Sequence, residues 1–586
     1  MNAPARTNFA YAMLDRGAKQ RSRAFQWKVD EVILRGQQAF SRRDNMNRLY
    51  QAIAEYFYPE RADFFGQNSP GDERYWDIFD EEPMLLRRNL ANQIGALIRP
   101  RGREWFKCKA FPRQLNDVDK VRIWCEQGTK ITREVIYSPT ANFAQAMTES
   151  DNDYVAFGVG IVTHTYNKRR DGLLFKALHP KSVVWYKNAD GEIDEVYEKF
   201  DVSLRNLVSM GLSLPKDLVK ELDKTPNREI EVMRCVYPAD RYGGDLPLAK
   251  DAKYVVMYIA TGFHEELKTQ IGIQPFFRTF PYWIREWMNV SNEPSGRSPC
   301  TSVALSTARG LNQAALSIIE GLEKTVSPPL IAPDDGIAGD VQLRANGVTF
   351  YDPTLEYGSR SPVEALPVGR PDFGMAYVED RKQYLARAFL QNIINFPGVT
   401  KEMTAYEAGR LWEQYMRDAS PVFEPLEADN GRLMEPVFER IYDASGPEKS
   451  GAYPPPPKEL WDAEVKFEFE TPLSAAYARM EFEKALEATQ YMAARVQFNP
   501  GVVDLVNHDE MDRSALKAIA PQSWIKSMED VERDREEGQQ QLIEAEGANM
   551  ALGAVAQQIG GDPKLAPRVP TTGAPIVEAV RSGLGQ

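Results

Sequence analysis

The sequence predicts an α+β protein that is mainly helical, and three features carry that expectation. Residues from about Gln20 to Tyr58, 83–98, 115–136 and 142–154 read as helices. Between Val155 and Phe280 the chain turns to short β-branched or aromatic runs separated by turn residues. After Pro299 it returns to helix: Ala304, Ala308, Leu311, Ala315, Ile318, Leu322 and Val326 recur in steps of four and three. That stripe spans roughly 37 Å of helix, and its small side chains permit close helix approach.

The first fifty residues carry ten Arg or Lys against four acids, and their helix is expected to end at Pro59. The helix over 83–98 stops at Arg99-Pro100-Arg101-Gly102-Arg103, where three arginines around a turn admit a phosphate site, a solvated turn or an ion pair with a neighbouring subunit. Expected strands are Val155–Thr165, Leu173–Leu178, Ser182–Tyr186, Glu192–Phe200, Ile230–Tyr237, Lys253–Ala260 and Gln274–Phe280. Asn188-Ala189-Asp190-Gly191 supplies a hairpin turn, and a helical insertion falls near Ser203–Leu222. Pro328-Pro329 ends the striped helix, and turns and short β runs such as Val348–Tyr351 come next. A helix over Asp372–Gln391 breaks at Pro397-Gly398, because proline lacks the backbone donor and glycine frees the chain. Thr404-Ala405-Tyr406-Glu407 has capping-box spacing and restarts the helix. Pro421, Pro425 and Pro436 are each expected to kink or break that restarted helix. A proline-rich linker over 443–457, a strand at Val465–Glu470 and helices near 474–497, 513–519 and 523–553 complete the chain, with a Gly/Pro-rich tail from Gly560.

The chain has 586 residues, 43% hydrophobic and 26% charged, with net charge −13. An acidic chain does not grip phosphates tightly, although weak contact with DNA is compatible with it. Four cysteines lie far apart without a CxxC pair, a pattern of reduced buried thiols. No run of 18 apolar residues predicts a membrane span, and the first residues lack the apolar core of a signal peptide. No P-loop, dinucleotide fingerprint or nucleophile elbow occurs. The four histidines are scattered, and after His264-Glu265-Glu266 a lysine, Lys268, stands where a zinc-binding motif needs histidine. Asp151-Asn152-Asp153, the tightest acidic group, reads as turn or capping chemistry before metal binding. These residues predict no catalytic group, no metal and no cofactor, and point to a mechanical or assembly role.

The order of elements, with several short motifs, resembles the portal or head-to-tail connector proteins of short-tailed tailed bacteriophages. The motifs are Phe276–Tyr282 (FFRTFPY), Glu293-Pro-Ser-Gly-Arg-Ser-Pro299, Leu311-Asn312 in the next helix, Pro328-Pro329, Met403-Thr404-Ala405-x-Glu407 and Leu433-Met434-Glu435-Pro436-Val437-Phe438-Glu439-Arg440. LYQAIAEYFYP near residue 50 and the charged segment Asp504–Val531 fit as well, so the resemblance spans about 20–545. Tyr406 departs from the family's smaller residue, and the tail after Gly553 matches nothing.

The resemblance implies a portal fold: a wing over 1–295, a first stem helix over 296–327, a clip over 328–370, a second stem helix over 371–391, a tunnel loop over 392–403, a kinked wing helix over 404–445, a crown over 446–553 and a flexible tail over 554–586. It implies twelve subunits in a ring at one capsid vertex of the virion, assembled in the host cytoplasm, with double-stranded DNA packaged and ejected through the axis. Partners would be the terminase large subunit, the tail adaptor, major capsid and scaffolding proteins and internal core or ejection proteins, with no membrane. The tunnel loop would present Asn392, Asn395, Phe396, Pro397, Gly398, Val399, Thr400 and Lys401 to DNA, and Arg381, Lys382 and Arg387 are candidate channel-lining charges. These three also admit a solvated face or pairing with Glu379 and Asp380. The competing readings are another structural virion component, such as a tail adaptor or scaffold, or a metal-dependent nuclease.

Overall fold

The computed structural model describes residues 28–66, 71, 73–167, 172–242, 252–269, 276–290, 293–326, 330–331, 364–365, 371–391, 405–444, 453–461, 463–470, 472–496, 498, 501, 505–519, 530–540 and 543. In chain order the elements are α1 (Val29–Phe57), α2 (Glu82–Ile98), β1 (Phe106–Phe111), α3 (Asp119–Ile136), α4 (Phe143–Phe157), β2 (Val159–Tyr166), β3 (Leu173–Ala177), β4 (Val183–Lys187) and β5 (Ile193–Ser203). Next come α5 (Leu204–Ser209), β6 (Leu212–Ser213), α6 (Lys216–Lys224), β7 (Glu229–Pro238), β8 (Tyr254–Ala260), β9 (Glu265–Glu266), β10 (Lys268–Thr269), β11 (Phe276–Phe277) and β12 (Tyr282–Glu286). A π-helical turn at Cys300–Ala304 leads into α7 (Leu305–Val326), β13 (Leu330–Ile331), β14 (Glu364–Ala365), α8 (Pro371–Ala388), α9 (Ala405–Ala444), β15 (Glu464–Phe469), α10 (Pro472–Val496) and α11 (His508–Ile519). The mixed, predominantly helical composition is the one the sequence predicts.

The chain divides into two compact units, residues 1–105 with 130–453, and residues 106–129 with 454–586. In the first unit a sheet runs β11-β8-β7-β5-β4, with β9 on β8, all antiparallel. Helix α1 covers one face: Val32, Ile33 and Ala39 pack on Tyr197, Met233, Cys235, Tyr237, Met257 and Ile259. The small sheet β12-β2-β3 covers the other, Val159, Ile161 and Tyr282 meeting Val183, Val196, Val236 and Val256. A strand covered on both faces is apolar at nearly every position rather than alternately, as in β7, buried from Val232 to Tyr237. The insertion packs α5 and α6 onto the sheet's end through Leu204, Leu207 and Leu218 against Ile230, Val232 and Leu267. The predicted turn closes β4 to β5: the Asn188 side-chain oxygen accepts from the amides of Asp190 and Glu192, both at 2.9 Å.

Three expectations change. The run beginning at Val155 stays helical through Phe157, because Val155, Ala156 and Phe157 are each completely buried on α4 and tertiary packing overrides their β preference. The change to strand occurs at Gly158, whose φ of +79° ends the helix. A Cβ there would lie 2.7 Å from the Ser298 nitrogen and 2.8 Å from the Gly296 oxygen, both backbone atoms. Gly158→Ala is therefore expected to destabilise the unit by about 2–4 kcal/mol, combining left-handed strain with a backbone clash; chemical denaturation of the two proteins checks it. Second, among the described residues of the expected last strand Phe276–Phe277 pairs with β8, while Tyr282–Glu286 pairs with β2. Third, of the expected kink or break the break does not occur: α9 continues through Pro421, Pro425 and Pro436 as one 40-residue helix. Each proline forfeits one intrahelical bond, and burial of Leu426, Leu433, Met434, Val437 and Ile441 offsets that loss.

In the second unit β1 pairs antiparallel with β15, Phe106 opposite Phe469 and Phe111 opposite Glu464. Strand β15 is the predicted strand. Strand β1 is not among those expected, although its residues alternate buried and half-buried from Phe106 to Ala110.

Candidate functional site

Helices α7 and α8 pack together in the first unit, and the chain between them leaves and returns through the antiparallel ladder Leu330–Ala365 and Ile331–Glu364. Gly374 is needed at the contact: a Cβ on it would lie 2.9 Å from Ile318 Cγ1. The apolar stripe on α7 divides in two. Ala304, in the π-helical turn ahead of α7, and Ala308 and Leu311 on α7 are buried in their own subunit, whereas Leu322 is 39% and Val326 86% exposed. On α8, Met375, Tyr377 and Tyr384 are exposed and Leu385 is completely buried; Phe389, the residue after the helix, is also completely buried and packs on Phe57 with ring centres 5.7 Å apart. The end of α8 is thus anchored in the core at Phe389, just ahead of residues 392–403.

A segment before α2 straps the pair. The Asn312 amide donates to the Asp77 carbonyl at 2.9 Å, and its side-chain oxygen accepts from the Phe79 amide at 2.7 Å. Asp80, nearly buried, pairs with Lys382 at 2.8 Å. This hydrogen bond raises the Lys382 pKa, against the opposing cost of burial. Of the three basic residues singled out on α8, Lys382 is therefore held by Asp80, a partner the sequence does not suggest. Arg381 lies 3.5 Å from Asp380 and between the rings of Tyr377 and Tyr384, and Arg387 is exposed. Asn392, Asn395, Phe396, Pro397, Gly398, Val399, Thr400 and Lys401 lie outside the described residues, as does Thr404 of the capping box; α9 begins at Ala405.

Behind this helix pair sits a buried ionic node. Asp151-Asn152-Asp153 is neither a turn nor a cap but the interior of α4, and arginines from three other segments converge on it. Arg99, at the end of α2, donates to both oxygens of Asp151, at 2.6 and 2.5 Å, and Arg285 of β12 donates to the same carboxylate. Arg87 of α2 donates to the Asn152 side chain and, at 2.9 Å, to the Phe57 carbonyl. Arg61 makes a two-pronged pair with Asp153, at 3.1 and 2.8 Å. Burial pushes the Asp153 carboxyl up to about 6, with the Arg61 charge opposing. Arg99 also lies 3.4 Å from the Asn430 side-chain oxygen, and Trp283 donates to the Asp429 carbonyl at 2.8 Å, so the node reaches α9. Further along α9, Arg440 donates to Thr279 Oγ1 at 3.0 Å, to the Thr279 carbonyl at 2.9 Å and to the His164 backbone oxygen. Burial and the adjacent Arg440 hold His164 well below the usual imidazole range, so it remains neutral. The Arg99–Arg103 turn is not a three-arginine cluster, since Arg99 points into the node while Arg101 and Arg103 are exposed.

The geometry is that of a scaffold: helices joined by buried ion pairs, with the α7–α8 pair packed against them. Residues 29–525 match the model of the bacteriophage head to tail connecting protein family. The chain belongs to that family. As a head-to-tail connector of the bacteriophage type it is a structural, non-enzymatic protein. No curated protein matches the chain. Among solved structures it is similar to the neck of an empty gene transfer agent (GTA) particle computed with C6 symmetry (12% identity, 69% of this chain and 89% of that one, TM-score 0.33). It is also similar to the neck of a native GTA particle computed with C12 symmetry (12%, 75% and 94%, TM-score 0.32) and to the virion of a native GTA particle (10%, 76% and 94%, TM-score 0.33). At these scores the family membership stands on the sequence match alone. Among the described residues no helix of the connector is long and apolar enough to cross a membrane.

The sequence names Arg99 and Arg440 within motifs but not their buried partners, and Arg61, Arg87 and Arg285 escape sequence reasoning altogether. The available signal is the placement of two aspartates just ahead of an apolar Val155-Ala156-Phe157 run in a helical window, where unpaired carboxylates are too costly to bury.

Proposed function

We propose that twelve copies of this connector close into a ring at one capsid vertex and that double-stranded DNA is packaged and ejected through its axial channel. The observation that carries this reading is the helix–insertion–helix hairpin, α7 and α8 joined through the β13–β14 ladder, inside a chain that belongs to the head-to-tail connecting family. In this reading α7 and α8 form the stem, residues 328–370 the clip, residues 392–403 the tunnel loop, and the segment from about residue 446 the crown inside the capsid. The half of the α7 stripe left uncovered by its own subunit, Leu322 and Val326, meets neighbouring copies, as a closed ring of head-to-tail contacts requires. A net charge of −13 per copy makes the wall repel DNA rather than bind it, so that the duplex slides. With Lys382 neutralised by Asp80, Arg387 and Arg381 are the remaining candidates on α8 to tune that wall, together with Lys401 on the loop.

The clip receives the terminase large subunit during packaging and the tail adaptor afterwards. The wing and crown meet major capsid and scaffolding proteins and internal core or ejection proteins. Assembly takes place in the host cytoplasm and the ring ends in the virion. Replacing residues 332–363 with a short flexible linker should leave subunits able to form rings while abolishing terminase binding and DNA packaging in an in-vitro packaging reaction. Normal packaging by the shortened protein would refute the assignment of the clip.

A further inference from the structure

The segment ahead of α2 that straps the α7–α8 pair also presents a surface of its own. Its backbone is held on both sides of Trp76. Arg74 donates to the Glu60 carbonyl at 3.0 Å, and the Asn312 side chain bonds the Asp77 carbonyl and the Phe79 amide. Between and beside these anchors Tyr75, Trp76 and Phe79 are exposed, Trp76 by 74%. The acids Glu73, Asp77 and Glu81 are interleaved with them and exposed, and none pairs with a cation among the described residues. An aromatic side chain on a fixed backbone loses little freedom on docking, and Trp, Tyr and Arg dominate the energetics of protein contacts. The strap is a prepared acidic and aromatic surface.

Such a surface is matched by a cation framed by rings, and α8 carries one. The Arg381 guanidinium carbon lies 5.0 Å from the Tyr377 ring centre and 6.0 Å from that of Tyr384, and both rings are exposed. Arg381 has Asp380 at 3.5 Å, and its Nε has no hydrogen-bond partner among the described residues. The strap of the same subunit takes Lys382 instead, through Asp80, and successive helix positions are turned about 100° from each other. The chain as a whole carries −13, so an acidic strap is repelled by much of a second copy's surface and held where a cation is offered. One chain thus bears two complementary patches that do not bond each other within it, the arrangement of a head-to-tail contact rather than a two-fold one. We propose that the strap of one copy docks on the Tyr377–Arg381–Tyr384 ladder of a second copy, with Trp76 against the rings and Asp77 paired with Arg381. This contact rests on the reading that copies of the connector close into a ring, and it is separate from the stripe at Leu322 and Val326. A neighbouring strap on Arg381 takes that charge out of the channel wall and leaves Arg387 and Lys401 to tune it.

The test follows assembly of the full-length chain by mass photometry over a concentration series, for the parent and for W76A, D77R and R381D. Each substitution should raise the concentration at half-assembly by about tenfold or more. An equal mixture of D77R and R381D should assemble like the parent. Alternating copies then set opposite charges together at every contact, whereas each variant alone sets like charges together. Tyr384→Ala should weaken assembly with no change of charge, so the ladder is tested even if R381D fails to fold; circular dichroism checks the fold of each variant. A folded W76A, D77R or R381D chain that assembles like the parent overturns this contact and leaves the ring standing. So does a mixture that assembles no better than its two components. A parent chain that stays monomeric overturns both the contact and the ring.

Discussion

Asp151→Ala is expected to cost the folded subunit on the order of 3–5 kcal/mol, because it strands two buried guanidinium groups at once. Arg99 is 8% and Arg285 2% exposed, and Asp151 is the carboxylate that both of them bond. Arg285 also reaches the Ser150 hydroxyl, at 3.3 Å, and the faces of Tyr154 and Trp283, none of which carries the charge that would replace the carboxylate. Asn at the same position keeps the shape but removes the charge, and should recover a fraction of the loss. The Asp217–Lys220 pair on α6 is the control: both side chains are about three-quarters exposed. Asp217→Ala should cost less than about 1 kcal/mol. Urea unfolding midpoints of the parent and the three variants check both numbers. Equal losses at the two sites would mean that the node carries no special share of the stability.

Deleting Phe396–Glu402 should leave subunits that still assemble into rings, while packaging fails or packaged DNA leaks out. The expectation rests on the separation between the loop and the structure that holds the subunit together. The core closes at Phe389, packed on Phe57, and reopens on α9, where Asn430, Leu433, Val437 and Arg440 are buried. The excised residues lie in the chain between those anchors and include neither. Rings formed by the deletion variant should match the parent in electron micrographs, with the defect confined to particles challenged with nuclease. Full, nuclease-resistant genomes in those particles would show that the loop does not engage DNA.

Local features are legible in the sequence. The end of α1 before Pro59, the hairpin at Asn188–Gly191 and the strands β4, β5, β7 and β8 come from residues within a few positions of one another. The hairpin, for instance, needs only an asparagine side chain and a glycine, whose φ is +82°. Pairings across long stretches of chain are not legible. Strand β1 meets β15 more than 350 positions later, and a six-residue run with two lysines offers little to distinguish it from a loop. The node is hidden for the same reason: its arginines come from residues 61, 87, 99 and 285, and no spacing rule links them to α4. The asymmetry on α8 is hidden too. Lys382 and Arg387 look alike in sequence, but Lys382 faces Asp80 on the strap while Arg387 is exposed. The three prolines of α9 show the reverse case, since none of them breaks the helix. A strong local rule is outweighed by a row of buried apolar residues on the same helix.

The central claim is that this chain closes around an axis and leaves a passage for a duplex. Electron microscopy of the purified full-length protein tests it most directly. The expected image is a closed ring with a central hole of at least about 20 Å, roughly the width of a B-form duplex whose grooves alone measure about 12 and 6 Å across. A protein that remains a solitary subunit at high concentration, or a ring whose hole is too narrow for double-stranded DNA in every class, would contradict it.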